Sequence, residues 1–153
     1  MQPDAISIQE KLNEALSKVW QETIEVVGAG RTDTGVHAKQ MFAHFDVQSQ
    51  VKEEIVYKLN SILPNDIVVS KLVEVEPEKH ARFDAVSRSY EYKIWLGRNP
   101  FLLDFSWQIH SQYLDVDAMN QAAKILLKYK DFQSFSKVKT DVYTYNCDIF
   151  DAY

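Results

Sequence analysis

The sequence is poor in cysteine, glycine and proline, and it has no long apolar run. Cys147 is the single cysteine in 153 residues, so neither an intrachain disulfide nor a cysteine zinc cluster can form. No apolar run approaches the roughly 20 residues that a membrane-spanning helix needs. The polar start, Met1–Asp4, does not resemble a secretory signal. These absences predict a protein of the reducing cytoplasm that makes no contact with a membrane.

An excess of positive charge is also missing, because the formal net charge is −5. This acidity weakly opposes nucleic-acid binding, which usually leaves a basic footprint on a protein. The stretch 79–98 is nevertheless basic, with five lysines and arginines against Asp84 and Glu91. Arg31 and Lys39 add two further positive charges elsewhere. Either a basic groove or a set of solvated charges fits this pattern.

Apolar periodicity predicts three helices in a chain of ordinary globular composition. The first spans about 7–20, where Ser7 and Glu10 form a capping box. The second spans 52–62, with its buried face on Ile55, Leu59 and Ile62. The third spans 115–128 and carries five candidate core residues: Met119, Ala122, Ala123, Leu126 and Leu127.

Short runs of β-branched and aromatic residues predict strands at 23–27, 40–47, 67–75 and 87–96. The order helix, strand, loop, strand, helix, strand is that of a ferredoxin-like half without its opening strand. We therefore expect an α+β fold of ferredoxin-like lobes, with a mainly antiparallel sheet and helices packed on one side. The expected lobes are 1–86 and 87–153, both incomplete.

Several residues of the second half are predicted to be buried. The aromatic residues Trp95, Trp107 and those between Phe101 and Phe105 are expected to form its core. Cys147 is expected to be buried and inert.

Three of the four glycines lie in the stretch 28–38, GAGRTDTGVHA, which we call the glycine loop. Glycine permits unusual backbone conformations and lets another molecule approach the main chain closely. Asp33 is thereby presented on a turn, two residues from the fixed positive charge of Arg31. Such an arrangement is typical of a reactive or binding carboxylate. For such a short string, a tight turn with a surface Arg–Asp pair is the more common origin, and the residues alone leave both open.

Three longer blocks resemble the tRNA pseudouridine synthase A (TruA) family. Residues 30–38, GRTDTGVHA, resemble its signature G-R-T-D-x-G-V-H-A, and residues 59–67, LNSILPNDI, resemble its segment L-N-x-x-L-P-x-D-I. Residues 80–85, HARFDA, and 87–92, SRSYEY, resemble a third block. The blocks follow the family order, and the resemblance extends over essentially the whole chain.

The resemblance implies roles for individual residues. Asp33 corresponds to the catalytic carboxylate, and Arg31 would support it, hold a phosphate or fill the place of a flipped nucleotide. Tyr90 would stack on uracil or transfer a proton, although a tyrosine on a strand more often packs in a core. Arg82, Arg88 and Lys39 are candidates for contact with RNA.

The family is understood to work without metal, nucleotide or redox cofactor. A metal site is not expected from the residues either, because His37 and His44 have no third ligand at a familiar spacing. The implied substrate is uridine at position 38, 39 or 40 of the tRNA anticodon stem-loop, bound by a homodimer.

The family also has an opening strand before the first residue here and continues beyond Tyr153. We therefore expect the shortened chain alone not to modify tRNA. The alternative function is a non-catalytic, ferredoxin-like RNA-binding or dimerisation module. The glycine loop favours the enzyme, because a carboxylate facing phosphate would weaken the binding of RNA.

Overall fold

The computed structural model describes residues 6–52, 54–110, 113–136 and 144–153. These ranges form three α-helices and two two-stranded sheets, in two compact units that span Met1–Glu91 and Tyr92–Tyr153. The predicted α+β class is confirmed at this level. The ferredoxin-like topology and the lobes 1–86 and 87–153 stay predictions. None of the helices described is long and apolar enough to cross a bilayer.

Helix α1, Ile8–Trp20, begins at the predicted capping box. The Oγ atom of Ser7 accepts a hydrogen bond from the Glu10 N–H at 3.1 Å, and the Glu10 carboxylate accepts one from the Ser7 N–H at 3.4 Å. These two bonds satisfy N–H groups that have no partner within the helix. The helix ends at Gln21, whose φ of 57° is left-handed and stops the hydrogen-bond ladder.

Helix α2, Glu54–Ile62, packs against α1 and supplies the centre of the first unit's core. Leu59 is completely buried there, and Ile55 is buried one turn earlier. The prediction for Ile62 is wrong, because this side chain is 41% exposed. Leu63 is buried instead, so the packed stripe runs at four-residue spacing through Ile55, Leu59 and Leu63.

The strands of the first unit are much shorter than predicted. Strand β1, Val27–Gly28, pairs antiparallel with β2, Ala43–His44. The predicted strand 23–27 lies mostly before β1, where side chains of α1 replace a neighbouring strand. Ser17 Oγ accepts from the Ile24 N–H, and Asn13 Oδ1 accepts from the Val26 N–H, both at 2.9 Å. The burial of residues 23–27 still alternates as in a strand, with Ile24 and Val26 facing the core.

The segment 67–75 also forms no strand. The side-chain amide of Asn60 on α2 hydrogen-bonds to both the N–H and the carbonyl of Val69. Ile67 and Val69 still pack against the core from this segment. The segment therefore contributes to the core without forming the predicted strand.

In the second unit, β3, Ile94–Leu96, pairs with β4, Trp107–Ile109. This pair is parallel, so the expectation of antiparallel pairing is wrong for it. The connection contains the short 3₁₀ turn Pro100–Leu102. Helix α3, Val116–Leu126, begins at Asp115, whose Oδ1 accepts from the Ala118 N–H at 2.9 Å.

The predicted core of the second unit is wrong in this structure. Trp95, Trp107, Phe101 and Phe105 are all exposed, Phe101 at 88%. Helix α3 has no buried residue, although its sequence is amphipathic. An apolar face is buried only where another element covers it. The described part of this unit supplies one helix and one pair of short strands.

Cys147 is exposed, which corrects the prediction that it is buried. Its N–H donates to the Lys130 carbonyl at 2.8 Å, next to an isolated antiparallel β-bridge between Asp131 and Asn146. The backbone is therefore paired while the thiol faces solvent.

Candidate active site

The glycine loop leaves β1 and turns sharply at Asp33. The Val36 N–H donates to the Asp33 carbonyl at 3.3 Å, and Gly35 has a φ of +83°. A positive φ at the third of four residues is typical of a type II turn, which requires glycine there. The turn places Asp33 at its first position with an exposed side chain. The predicted tight turn is therefore present.

Arg31 and Asp33 are both exposed, and they do not form an ion pair with each other among the residues that the structure describes. The surface pair that the sequence allowed is therefore absent. Both charged groups remain accessible to a ligand.

Arg88 ties the start of the glycine loop to a second segment. Its Nη2 atom donates to the carbonyl oxygen of Ala29 at 2.7 Å and to that of Arg82 at 3.1 Å. The Nε atom lies 3.7 Å from the point that a Cβ on Gly30 would occupy. Residues 29 and 30 thus lie directly beside the Arg88 side chain.

The end of the glycine loop is tied to the same segment. Lys39, just beyond the loop, forms an ion pair with Glu91. Arg88 and Glu91 therefore contact the two ends of one loop, and Tyr90 lies between them in the sequence. The structure thus brings together the two chain segments that carry Asp33 and Tyr90.

Tyr90 is 79% exposed, so its alternative role as a core residue is wrong. It lies before β3, because the predicted strand 87–96 is reduced to Ile94–Leu96. A phenol ring with this exposure is available for stacking on a base.

A short turn at residues 80–84 holds the Arg82 carbonyl that Arg88 contacts. The Asp84 N–H donates to the His80 carbonyl at 2.9 Å, and the His80 N–H donates to the Asp84 carboxylate at 2.8 Å. His80 Nδ1 accepts from the N–H groups of Arg82 at 3.2 Å and Phe83 at 3.3 Å. The Arg82 guanidinium is exposed above the Phe83 ring, 5.9 Å from its centre.

Two histidines that sequence reasoning gave no role anchor this turn. His44 of β2 accepts a hydrogen bond at Nδ1 from the Ala81 N–H at 3.2 Å. Its ring lies 4.4 Å from that of His80, between ring centres. The available signal was the string His80–Asp84, in which an aspartate four residues after a histidine is placed to close a turn. The partner His44 gave no local signal.

The comparisons with known proteins point to one kind of enzyme. The chain is 46% identical to tRNA pseudouridine synthase A of Parabacteroides distasonis, over 97% of this chain and 60% of that protein. It is 47% identical to tRNA pseudouridine synthase A of Bacteroides fragilis, over 99% of this chain and 61% of that protein. The Porphyromonas gingivalis protein of the same name is 44% identical over 99% of the chain. No protein-family model matches the chain.

Identities of 46% and 47%, in alignments that cover 97% and 99% of the chain, make it a homologue of pseudouridine synthases. Within that class its relatives are of the tRNA pseudouridine synthase A family, which confirms the resemblance seen in the three sequence blocks. The chain spans about 60% of the length of these relatives.

Proposed function

We propose that the protein containing these residues is a tRNA pseudouridine synthase that uses Asp33 as its catalytic carboxylate. The observation that carries the proposal is the placement of Asp33 on a turn whose loop contacts the Tyr90 segment at both ends. The relatives named tRNA pseudouridine synthase A support it further. The proposed substrate is uridine at position 38, 39 or 40 of the anticodon stem-loop.

The reaction is an isomerisation, so every atom of uridine is retained. The bond between the ribose C1′ and N1 of uracil breaks, the base turns, and a bond forms between C1′ and C5. The proton on C5 is lost and N1 gains a proton. Asp33 would attack the sugar, add to the base or remove a sugar proton, and each route needs an ionised, accessible carboxylate.

A base within a stem must leave its stack before Asp33 can reach it, at a cost of a few kcal/mol. Tyr90 would receive the flipped uracil, because stacking on an aromatic ring is worth about 1–3 kcal/mol per base. Its hydroxyl would serve in the proton transfer at C5. Arg31, with an unpaired guanidinium in the described structure, would hold a phosphate or fill the space of the flipped nucleotide.

The remaining RNA contacts would come from Arg82 and Lys39. Arg82 presents an exposed guanidinium, which suits a phosphate contact. Lys39 forms an ion pair with Glu91 and would have to exchange that carboxylate for a phosphate. We further propose a cytoplasmic homodimer with ferredoxin-like lobes that needs no metal or other cofactor.

Carbodiimide mapping of pseudouridine tests the function directly. Unmodified tRNA is incubated with the full-length protein that contains these residues, and reverse transcription then locates modified positions. We expect new stops one nucleotide to the 3′ side of position 38, 39 or 40, and none in tRNA that carries cytidine there. Binding of tRNA without any modification would instead support the non-catalytic RNA-binding module.

A further inference from the structure

We infer that Arg88 is a positioning residue, which fixes the glycine loop for catalysis rather than binding RNA through its charge. The inference rests on the proposed function of Asp33. It assigns to Arg88 a role different from the phosphate contact that the sequence suggested.

The hydrogen bonds of one nitrogen carry the argument. The Nη2 atom of Arg88 has two hydrogens and donates to two carbonyl oxygens, those of Ala29 and Arg82. A guanidinium grips phosphate with two neighbouring nitrogens, and both of its possible forks include Nη2. With both Nη2 hydrogens engaged, neither fork is available for an incoming phosphate.

The second acceptor is held in place by its own turn. The Arg82 carbonyl belongs to residues 80–84, which are closed by reciprocal hydrogen bonds between His80 and Asp84. His44 connects this turn to β2 through the Ala81 N–H. Strand β2 is paired with β1, from which the glycine loop starts. Arg88 therefore connects the start of the loop to a turn that is anchored to the same sheet.

The loop backbone runs close along the Arg88 side chain. Gly30 lies beside Nε, and only two residues separate it from Asp33. A shift of the loop start would therefore be passed to the catalytic carboxylate. A misplacement of about 1 Å can lower a reaction rate by about a hundredfold.

Hydrogen exchange of the backbone amides tests the structural half of the inference without any substrate. In Arg88→Gln we expect the hydrogen-bonded amides of Ala29 and Val36 to exchange at least about tenfold faster, because the tether of the loop start is lost. Arg82→Gln is the matched control, because Arg82 accepts the hydrogen bond from Arg88 through its backbone carbonyl. Amide exchange in this variant should equal that of the unsubstituted protein. Unchanged exchange in Arg88→Gln would overturn the inference.

The catalytic half is tested on the full-length protein with tRNA. We expect kcat of Arg88→Gln to fall about 10- to 100-fold, with tRNA affinity and its salt dependence kept. A phosphate contact would give the opposite result: kcat kept, binding weakened, and the slope of log K against log salt reduced by about 0.7–0.9. That result would overturn the positioning role.

The two experiments distinguish a failure of the inference from a failure of the function on which it rests. If the unsubstituted protein forms no pseudouridine, the proposed function fails, and the exchange experiment alone decides whether Arg88 fixes the loop. Arg88 is exposed and lies apart from the buried core around Leu59, so Arg88→Gln should keep its circular dichroism spectrum and cooperative melting.

Discussion

Asn60 and Val69 are joined by two hydrogen bonds, each 2.8 Å long. The Nδ2 atom of Asn60 donates to the Val69 carbonyl, and the Val69 N–H donates to Oδ1 of Asn60. The side-chain amide thus offers the same donor and acceptor as a residue of a neighbouring strand. Helix α2 thereby holds the segment that follows it, which packs Ile67 and Val69 on the core.

Replacing Asn60 by alanine removes both bonds. We expect a loss of about 1–3 kcal/mol in the free energy of unfolding, toward the lower end because the site is solvated. Urea unfolding followed by circular dichroism measures it. Ser61→Ala is the control, because the Ser61 hydroxyl donates within its own helix, to the Tyr57 carbonyl. Equal midpoints for the two variants would contradict the role of Asn60.

Leu59→Ala should destabilise the first unit strongly. The side chain is fully buried between α1 and α2, and such truncations cost about 2–5 kcal/mol. Ile62→Ala, on the same helix but 41% exposed, should cost less than half as much. Thermal and urea unfolding of both variants compare the positions, and a larger loss at Ile62 would contradict the packing described.

The pair Glu54–Lys58 should make stability depend on pH. Lys58 donates to the Glu54 carboxylate at 2.9 Å, and this hydrogen bond, with the attraction of the two charges, lowers the pKa of Glu54. A carboxyl with a depressed pKa in the folded state stabilises above its unfolded pKa, and the effect is lost as pH falls through the folded value. Lys58→Gln should therefore lower Tm slightly at pH 7 and not at about pH 2.

Differential scanning calorimetry at both pH values checks this. Lys71→Gln serves as the control for the loss of one exposed positive charge. A difference between the Lys58 and Lys71 variants that persists in acid would show that the ion pair is not its origin.

Asp33→Asn in the full-length protein should leave folding and tRNA binding nearly intact and abolish pseudouridine formation. The amide keeps the shape of the side chain and removes only its charge. We expect a fall in rate of at least about a thousandfold, as for other groups at the reacting centre. Asp46→Asn, another exposed aspartate, is the matched control. Substantial turnover by the Asp33 variant would remove it from the catalytic role.

Two substitutions of Tyr90 distinguish a role in base stacking from a role in proton transfer. If its hydroxyl moves a proton, Tyr90→Phe should lower kcat about 10²- to 10⁴-fold without a change in tRNA affinity. If only the ring matters, Tyr90→Phe should behave normally and Tyr90→Leu should weaken both affinity and rate. Single-turnover kinetics with a binding titration distinguish these results. Unchanged kinetics in Tyr90→Leu would exclude Tyr90 from the site.

The parts of the fold that could be predicted depend on local signals. The capping box Ser7–Glu10 and the turn at Asp33–Val36 are each encoded within four residues, and the structure has both. Strand boundaries could not be predicted, because nothing near Val26 indicates that the side chain of Asn13 will bind its N–H. The amphipathic face of α3 was visible in the sequence, but whether anything covers it was not.

The candidate site shows the same limit. The family resemblance selected Asp33 and Tyr90, but it gave no sign of the contacts that connect their segments. Arg88 reaches back 59 residues to Ala29, and Glu91 reaches 52 residues to Lys39. Such distant partners are set by the folded topology rather than by any short sequence pattern.

The exposed thiol of Cys147 has a practical consequence for these measurements. Because these 153 residues contain one cysteine and it faces solvent, a maleimide dye should attach at one defined place on the 153-residue chain. A dye there would report on the second unit while every substitution proposed above lies in the first. The same exposure means that aerated samples should slowly form disulfide-linked pairs of chains, which a reductant would separate on a gel.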